Sequence, residues 1–248
     1  MKIIVDSLAV EYMDEGQGPI LLMLHGWANS LHSFDAITAL LSPNYRVIRL
    51  DIPGFGESEL PPHPWYTKDY VECVRAFLAK LNVEPYAIVG HSFGGRITIK
   101  GVGTGRLQPQ KIILIDSAGN ARRDTPRVLF YKVLAKVGKA FSYLMPNSLY
   151  TALRKGLYRR SGSDYLEAGA LSQTFLNTVN EDLTNDAERI KVPALLLWGE
   201  RDTMTPLEDG KRLAAAIPNA RLEVFASLEH APHREQPEKI VEAITSFL

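Results

Sequence analysis

The chain has 248 residues, 46% of them hydrophobic and 23% charged, with a formal net charge of zero. That length fits one large α/β domain with room for a small insertion, and the composition is ordinary for a globular protein. Balanced charge gives no global pull toward nucleic acid or a membrane surface, and a single cysteine, Cys73, excludes an internal disulfide framework and suits a reducing compartment.

The first residues, Met1-Lys2-Ile3-Ile4-Val5-Asp6, meet an acidic group after three apolar ones, which is no signal-peptide pattern. No apolar run approaches the roughly 20 residues of a transmembrane helix, so a cytoplasmic protein is expected. Residues 2–5 and 8–12 read as two strands around an Asp6-Ser7 turn, a hairpin. Residues 20–24 form a continuous apolar run, the mark of a strand buried on both faces. Residues 45–50, 86–89, 111–115, 194–198 and 221–225 follow in kind. Between them, Tyr70, Val74, Phe77 and Leu81 share one helical face, as do Ile240, Val241, Ile244 and Phe247. Cys73 falls within the first of these patterns and reads as packing. The alternation predicts an α/β fold: a mostly parallel central sheet of about eight strands with helices on both faces. It breaks at residues 118–180, where the pattern is helical. These residues are expected to form a helical cap inserted into a core of residues 1–117 and 181–248.

Gly90-His91-Ser92-Phe93-Gly94 matches G-x-S-x-G between a strand and a helical stretch. A serine there sits on a tight turn with its oxygen exposed at the carboxyl end of the sheet, and the flanking glycines give that turn room. A serine hydroxyl is a poor nucleophile until a base takes its proton, so an acid and then a histidine should follow. Asp202 lies just past the strand at 194–198, and His230 lies past the strand at 221–225. Both therefore stand on the same rim as Ser92, where open α/β sheets bind ligands. In this reading His230 is the base and Asp202 orients it. His233 rivals His230, while Asp116, ending the strand at 111–115, and Glu200 rival Asp202. A metal site from His230, His233, Glu229 and Glu235 matches no zinc spacing, and no metal or cofactor is expected. The developing oxyanion needs donors, for which the backbone N–H groups of Trp27 and Phe93 are the candidates. His25 reads as a brace for the loop that carries Trp27.

These segments resemble the α/β-hydrolase superfamily over essentially the whole chain. The likeness rests on His25-Gly26-Trp27, Asp51-Ile52-Pro53-Gly54-Phe55-Gly56-Glu57-Ser58, the Ser92 motif, Trp198-Gly199-Glu200-Arg201-Asp202, and the stretch from Glu229 to Glu238. It implies a structural role for the loop at 51–58. Members usually carry glycine just before the catalytic histidine, where this chain has Glu229. Serine at the motif argues against the haloalkane dehalogenase and epoxide hydrolase branches, which use aspartate. It leaves carboxylesterases, lactonases, carbon–carbon bond hydrolases, haloperoxidase-like perhydrolases and acyl-thioesterases. His25-Gly26-Trp27 and the short cap look like the pimeloyl-carrier-protein methyl ester esterases.

Charge is unevenly placed. Residues 122–160 hold ten basic side chains and one acidic, a net of +9. Lys132, Lys136 and Lys139 share one helical face, opposite a stripe of Leu129, Val133, Val137, Phe141 and Leu144. The stripe, with Leu129, Val133, Val137 and Trp27, would line an acyl pocket. The basic face would be a solvated surface, or would attract an anionic substrate, an acidic carrier protein or an anionic membrane surface. The expected activity is hydrolysis of short to medium acyl esters through an acyl-serine, with lactones next. A hydrolase-fold ligand receptor with little turnover is the rival of another class.

Overall fold

The computed structural model describes residues 1–120 and 168–248. Its strands are β1 (Lys2–Val5), β2 (Leu8–Glu15), β3 (Ile20–Leu24), β4 (Arg46–Leu50), β5 (Ala87–His91), β6 (Lys111–Ile115), β7 (Ala194–Gly199) and β8 (Ala220–Phe225). They form one sheet in the order β1-β2-β4-β3-β5-β6-β7-β8. β1 and β2 pair antiparallel, as do β2 and β4, and every later pairing is parallel. The expected α/β-hydrolase sheet of eight strands is thus present. The β1–β2 turn has positive φ at both Asp6 (45°) and Ser7 (71°), the backbone that matches the strand twist in a two-residue hairpin.

The described helices are α1 (Asp35–Leu41), α2 (Thr67–Leu81), α3 (Phe93–Gly103), α4 (Ser172–Val179), α5 (Thr184–Glu188), α6 (Leu207–Ala216), α7 (Pro232–Glu235) and α8 (Pro237–Phe247). Side-chain alternation along the strands divides the core between two faces. Ile113, Ile115, Leu195 and Leu197 pack with Ile37 and Leu41 of α1 and Ile240 and Ile244 of α8. Ile112, Leu114, Leu196 and Trp198 pack with Ile99 of α3, Ala187 of α5 and Leu213 of α6. Burial on both faces is why these strands read as unbroken apolar runs. Along α2, Tyr70, Val74 and Phe77 are buried, and so is Cys73, whose thiol is pushed up to about 12 by burial. The helix ends at Asn82 in a left-handed conformation, φ 52°.

Contacts divide the chain into one unit of Met1–Asn120 and Glu181–Leu248 and another of Ala121–Asn180. α4 belongs to the second. Leu129, Val133, Val137 and the basic residues 122–160 lie outside the described residues. Among the described residues, no helix is long and apolar enough to cross a membrane.

Candidate active site

Ser92 stands between β5 and α3, at φ 50° and ψ −109°. A positive φ at a non-glycine residue is strained by about 1–3 kcal/mol and persists only where neighbours over-determine it. Here they do. Ser92 N–H donates to Ile115 O at 3.0 Å, and Ser92 O accepts from Arg96 N–H at 3.2 Å and Ala118 N–H at 3.0 Å. The glycines of the motif permit the close approach. A Cβ on Gly94 would collide with the Leu24 carbonyl, and one on Gly90 would meet Gly94 O and Gly95 Cα at 2.7 Å.

His230, in the loop after β8, lies 3.0 Å from Ser92 Oγ through Nε2 and 2.7 Å from Asp202 Oδ2 through Nδ1. A carboxylate facing Nδ1 fixes the tautomer with the proton on Nδ1, leaving Nε2 free to accept the serine proton. Asp202 is buried but amply supplied with donors. Oδ1 accepts from Met204 N–H at 2.7 Å and Thr205 N–H at 2.9 Å, and Oδ2 accepts from Thr205 Oγ1 at 2.6 Å. Burial pushes the Asp202 carboxyl up, but the hydrogen bond and charge of His230 and the Thr205 donors outweigh it and hold the group below its ordinary range. The three residues are brought together from the carboxyl ends of β5, β7 and β8, which are adjacent through β6.

The rivals take other places. His233 is fully buried between the rings of Phe34 and His91, with ring centroids 5.1 and 4.5 Å away. Neither of its nitrogens meets a hydrogen-bond partner among the described residues, and burial, with the charges of His91, Arg234 and His230, holds it well below the ordinary histidine range. Asp116 is buried at the end of β6, accepting from Gly199 N–H at 2.9 Å. Glu200 Oε2 accepts from Ser227 N–H at 3.2 Å. Glu229 is exposed, its N–H facing the Glu235 carboxylate at 3.2 Å. Among the described residues, His91, Asp116 and His230 offer ligand atoms within 4.8 Å of one another. Both nitrogens of His230 are already engaged, however, and His91 Nε2–H donates to the His230 carbonyl at 2.7 Å.

Phe93 is the first residue of α3, so its N–H is among the helix donors with no intrahelical acceptor. The Trp27 ring packs edge-on against Phe55 and Phe93, with centroids 4.8 and 5.2 Å apart. His25 braces this loop. Its Nδ1–H donates to Gly26 O at 2.7 Å and its Nε2 accepts from Ile52 N–H at 2.9 Å. Burial drives it down to about 4, so it is neutral, against the opposing pull of the Gly26 hydrogen bond and Asp51. Asp51 in turn accepts from Leu31 N–H at 2.6 Å and Glu57 N–H at 2.8 Å, which makes the loop at 51–58 structural. Two contributors escaped the sequence reading. His91 was only the spacer of the serine motif, and Thr205 carried no signal at all.

Fold and site together define an α/β hydrolase. The chain belongs to the alpha/beta hydrolase family, whose model matches residues 21–243. An uncharacterized hydrolase, YugF, of Bacillus subtilis (strain 168) is 30% identical over 262 residues, spanning 98% of this chain and 96% of that one. A 2-hydroxy-6-oxononadienedioate/2-hydroxy-6-oxononatrienedioate hydrolase of Paraburkholderia phymatum is 29% identical over 271 residues, 98% of this chain and 91% of its own. A pimeloyl-[acyl-carrier protein] methyl ester esterase of Nitrosomonas europaea is 27% identical over 247 residues, 91% and 94% of the two chains. Among solved structures, an esterase from Exiguobacterium antarcticum shares the fold with a TM-score of 0.78 at 23% identity, covering 99% of this chain and 98% of that one.

Proposed function

We propose that the protein is a serine carboxylic ester hydrolase of the cytoplasm, acting on short to medium acyl esters. The observation that carries this reading is the unbroken line from Ser92 Oγ through His230 to Asp202, at 3.0 and 2.7 Å. Ser92 Oγ attacks the ester carbonyl as His230 Nε2 takes its proton. The imidazolium then passes that proton to the departing alcohol, leaving an acyl-serine. A water deprotonated by His230 attacks the acyl group, and Ser92 is regenerated. Asp202 stays ionised throughout and stabilises the imidazolium. The N–H groups of Phe93 and Trp27 are the proposed donors to the oxyanion. Ser92, His230 and the attacking water supply every proton and electron pair in this cycle, so it calls for no cofactor. The basic residues 122–160 attract an anionic or carrier-linked substrate.

The relative from Nitrosomonas europaea is named as an ester hydrolase, and the one from Paraburkholderia phymatum as a hydrolase of a dienedioate. The second name supports carbon–carbon bond hydrolysis as the alternative. The test is a panel of p-nitrophenyl esters and lactones of graded acyl length, a carrier-protein methyl ester and a ring-cleavage dienoate. Multiple turnovers on the esters are expected. Turnover confined to the dienoate would replace this reading with the alternative, and a stoichiometric burst with no further turnover would make the protein a receptor.

A further inference from the structure

The proposed triad leaves one buried acid unused. Asp116 follows β6, is fully buried and holds a left-handed φ of 41°. The backbone pins it: its N–H donates to Leu197 O at 3.0 Å, and Oδ1 accepts from Gly199 N–H at 2.9 Å. Oδ2 meets no donor among the described residues. The titratable groups that face Asp116 are Asp202, Glu235, His91 and His230. The Thr205 hydroxyl sets the two acids beside each other, its Oγ1 lying 3.0 Å from the Asp116 carbonyl and 2.6 Å from Asp202 Oδ2, and one Asp116 carboxyl oxygen lies within 4.8 Å of ring nitrogens on His91 and His230. Burial above all, then the charge of Asp202, pushes the Asp116 carboxyl up to about 9, against the pull of the Gly199 N–H. Two ionised carboxylates that close in a buried site repel strongly, and such pairs commonly divide into one acid and one anion. The orphaned oxygen points the same way. An ionised Asp116 buries an acceptor with no donor, whereas a protonated Asp116 turns that oxygen into a donor among the acceptors clustered around it.

We propose that Asp116 and Asp202 share one proton, held by Asp116 and donated to the Asp202 carboxylate. Asp116 is thus a positioning residue for the acid that orients His230. Asp202 takes the donated hydrogen bond besides those from Met204, Thr205 and His230. The pair carries a single negative charge, held on the member that faces the imidazole. This inference rests on the triad reading of Ser92, His230 and Asp202.

The experiment compares Asp116→Asn and Asp116→Leu in the full chain. An asparagine can accept from Gly199 through its oxygen and donate to Asp202 through its amide, the same pattern as a protonated acid. Leucine offers neither. Asp116→Leu should lower kcat about thirtyfold with KM little altered, and Asp116→Asn should recover most of that loss. A second readout is independent of catalysis. A carboxyl whose folded pKa is raised contributes stability that is complete below its unfolded value and is lost as pH rises through the folded value. The Tm of the wild type should therefore fall relative to that of Asp116→Asn between pH 5 and pH 9. An asparagine variant as impaired as the leucine variant, or a Tm difference that does not change with pH, would overturn the proposal. If the wild type turns over no ester, the ester reading fails, and the Tm comparison still decides whether Asp116 holds the proton.

Discussion

His91 holds the loop that carries His230: its Nε2–H donates to the His230 backbone carbonyl at 2.7 Å. The acceptor is a carbonyl, so the proton must lie on Nε2. Burial drives His91 down to about 3, with the neighbouring charge of His230 adding to the effect, so the ring stays neutral at working pH. The residue before the nucleophile thereby ties the base to the strand that presents the serine. Replacing it should loosen that tie without touching the substrate. His91→Leu is expected to lower kcat about tenfold while KM moves less than about twofold, as measured on a p-nitrophenyl ester. A loss carried mainly by KM would mean that His91 shapes the pocket instead.

Ser92 presents its oxygen to His230 from a strained turn, and that turn does not depend on the hydroxyl. Its backbone bonds to Ile115, Arg96 and Ala118 all run through main-chain atoms. Ser92→Ala should therefore fold like the wild type by circular dichroism. It should lose ester turnover by four orders of magnitude or more, about what removal of a triad nucleophile costs, and lose labelling by a fluorophosphonate probe. Full labelling of this variant would place the nucleophile elsewhere.

Two histidines three residues apart should part company under substitution. His230 touches both Ser92 and Asp202, while His233 sits among Phe34 and His91 with no polar partner among the described residues. His230→Ala should reduce kcat by about three orders of magnitude or more with little effect on Tm. His233→Phe fills a similar volume with an apolar ring and should retain activity. Equal losses in the two variants would contradict the division of roles.

How much of this was legible in the sequence depends on how local each feature is. Strands β3 and β5 to β7 announced themselves because burial on both faces leaves few polar positions to interrupt the run. β2 was read only to residue 12, because Asp14 and Glu15 look like loop residues. They continue the pairing with β4, opposite Ile48 and Val47, and their charges are met by Arg46 and Arg49 across the ladder. α6 carried no clear periodicity because only Gly210 and Leu213 of its ten residues are buried. In the site, Ser92, Asp202 and His230 could be found because each follows a recognisable strand in an expected order. The roles of His91 and Asp116 could not be read, because their partners lie on other elements, and Thr205 reaches Asp202 through a local turn that no motif marks. His91 reaches a carbonyl 139 positions away, and Asp116 an amide 83 away. A residue's type shows that it can hydrogen-bond; only the fold shows to what.

Acid should unfold this protein through its buried imidazoles. His25 is driven down to about 4 and His91 to about 3 by burial, and His233 lies well below its ordinary value for the same reason. A histidine with a depressed folded pKa contributes stability that is complete above its unfolded value, near 6.5, and is lost as pH falls toward the folded value. Each should therefore cost about 1.4 kcal/mol per pH unit below pH 6.5. Asp116 works in the opposite sense, because its folded value is raised to about 9 and protonation in that window favours the fold. Three protons against one leave a net loss of about 2.7 kcal/mol per pH unit between pH 6 and pH 4.5. Urea unfolding at pH 7, 6, 5 and 4.5 measures this slope. His233→Phe should reduce it by about one proton, 1.4 kcal/mol per unit, while leaving the plateau above pH 7 in place. Stability that stays flat from pH 7 to pH 4.5 would mean that these rings accept protons in the folded state, contrary to their burial among Phe34, Phe55 and one another.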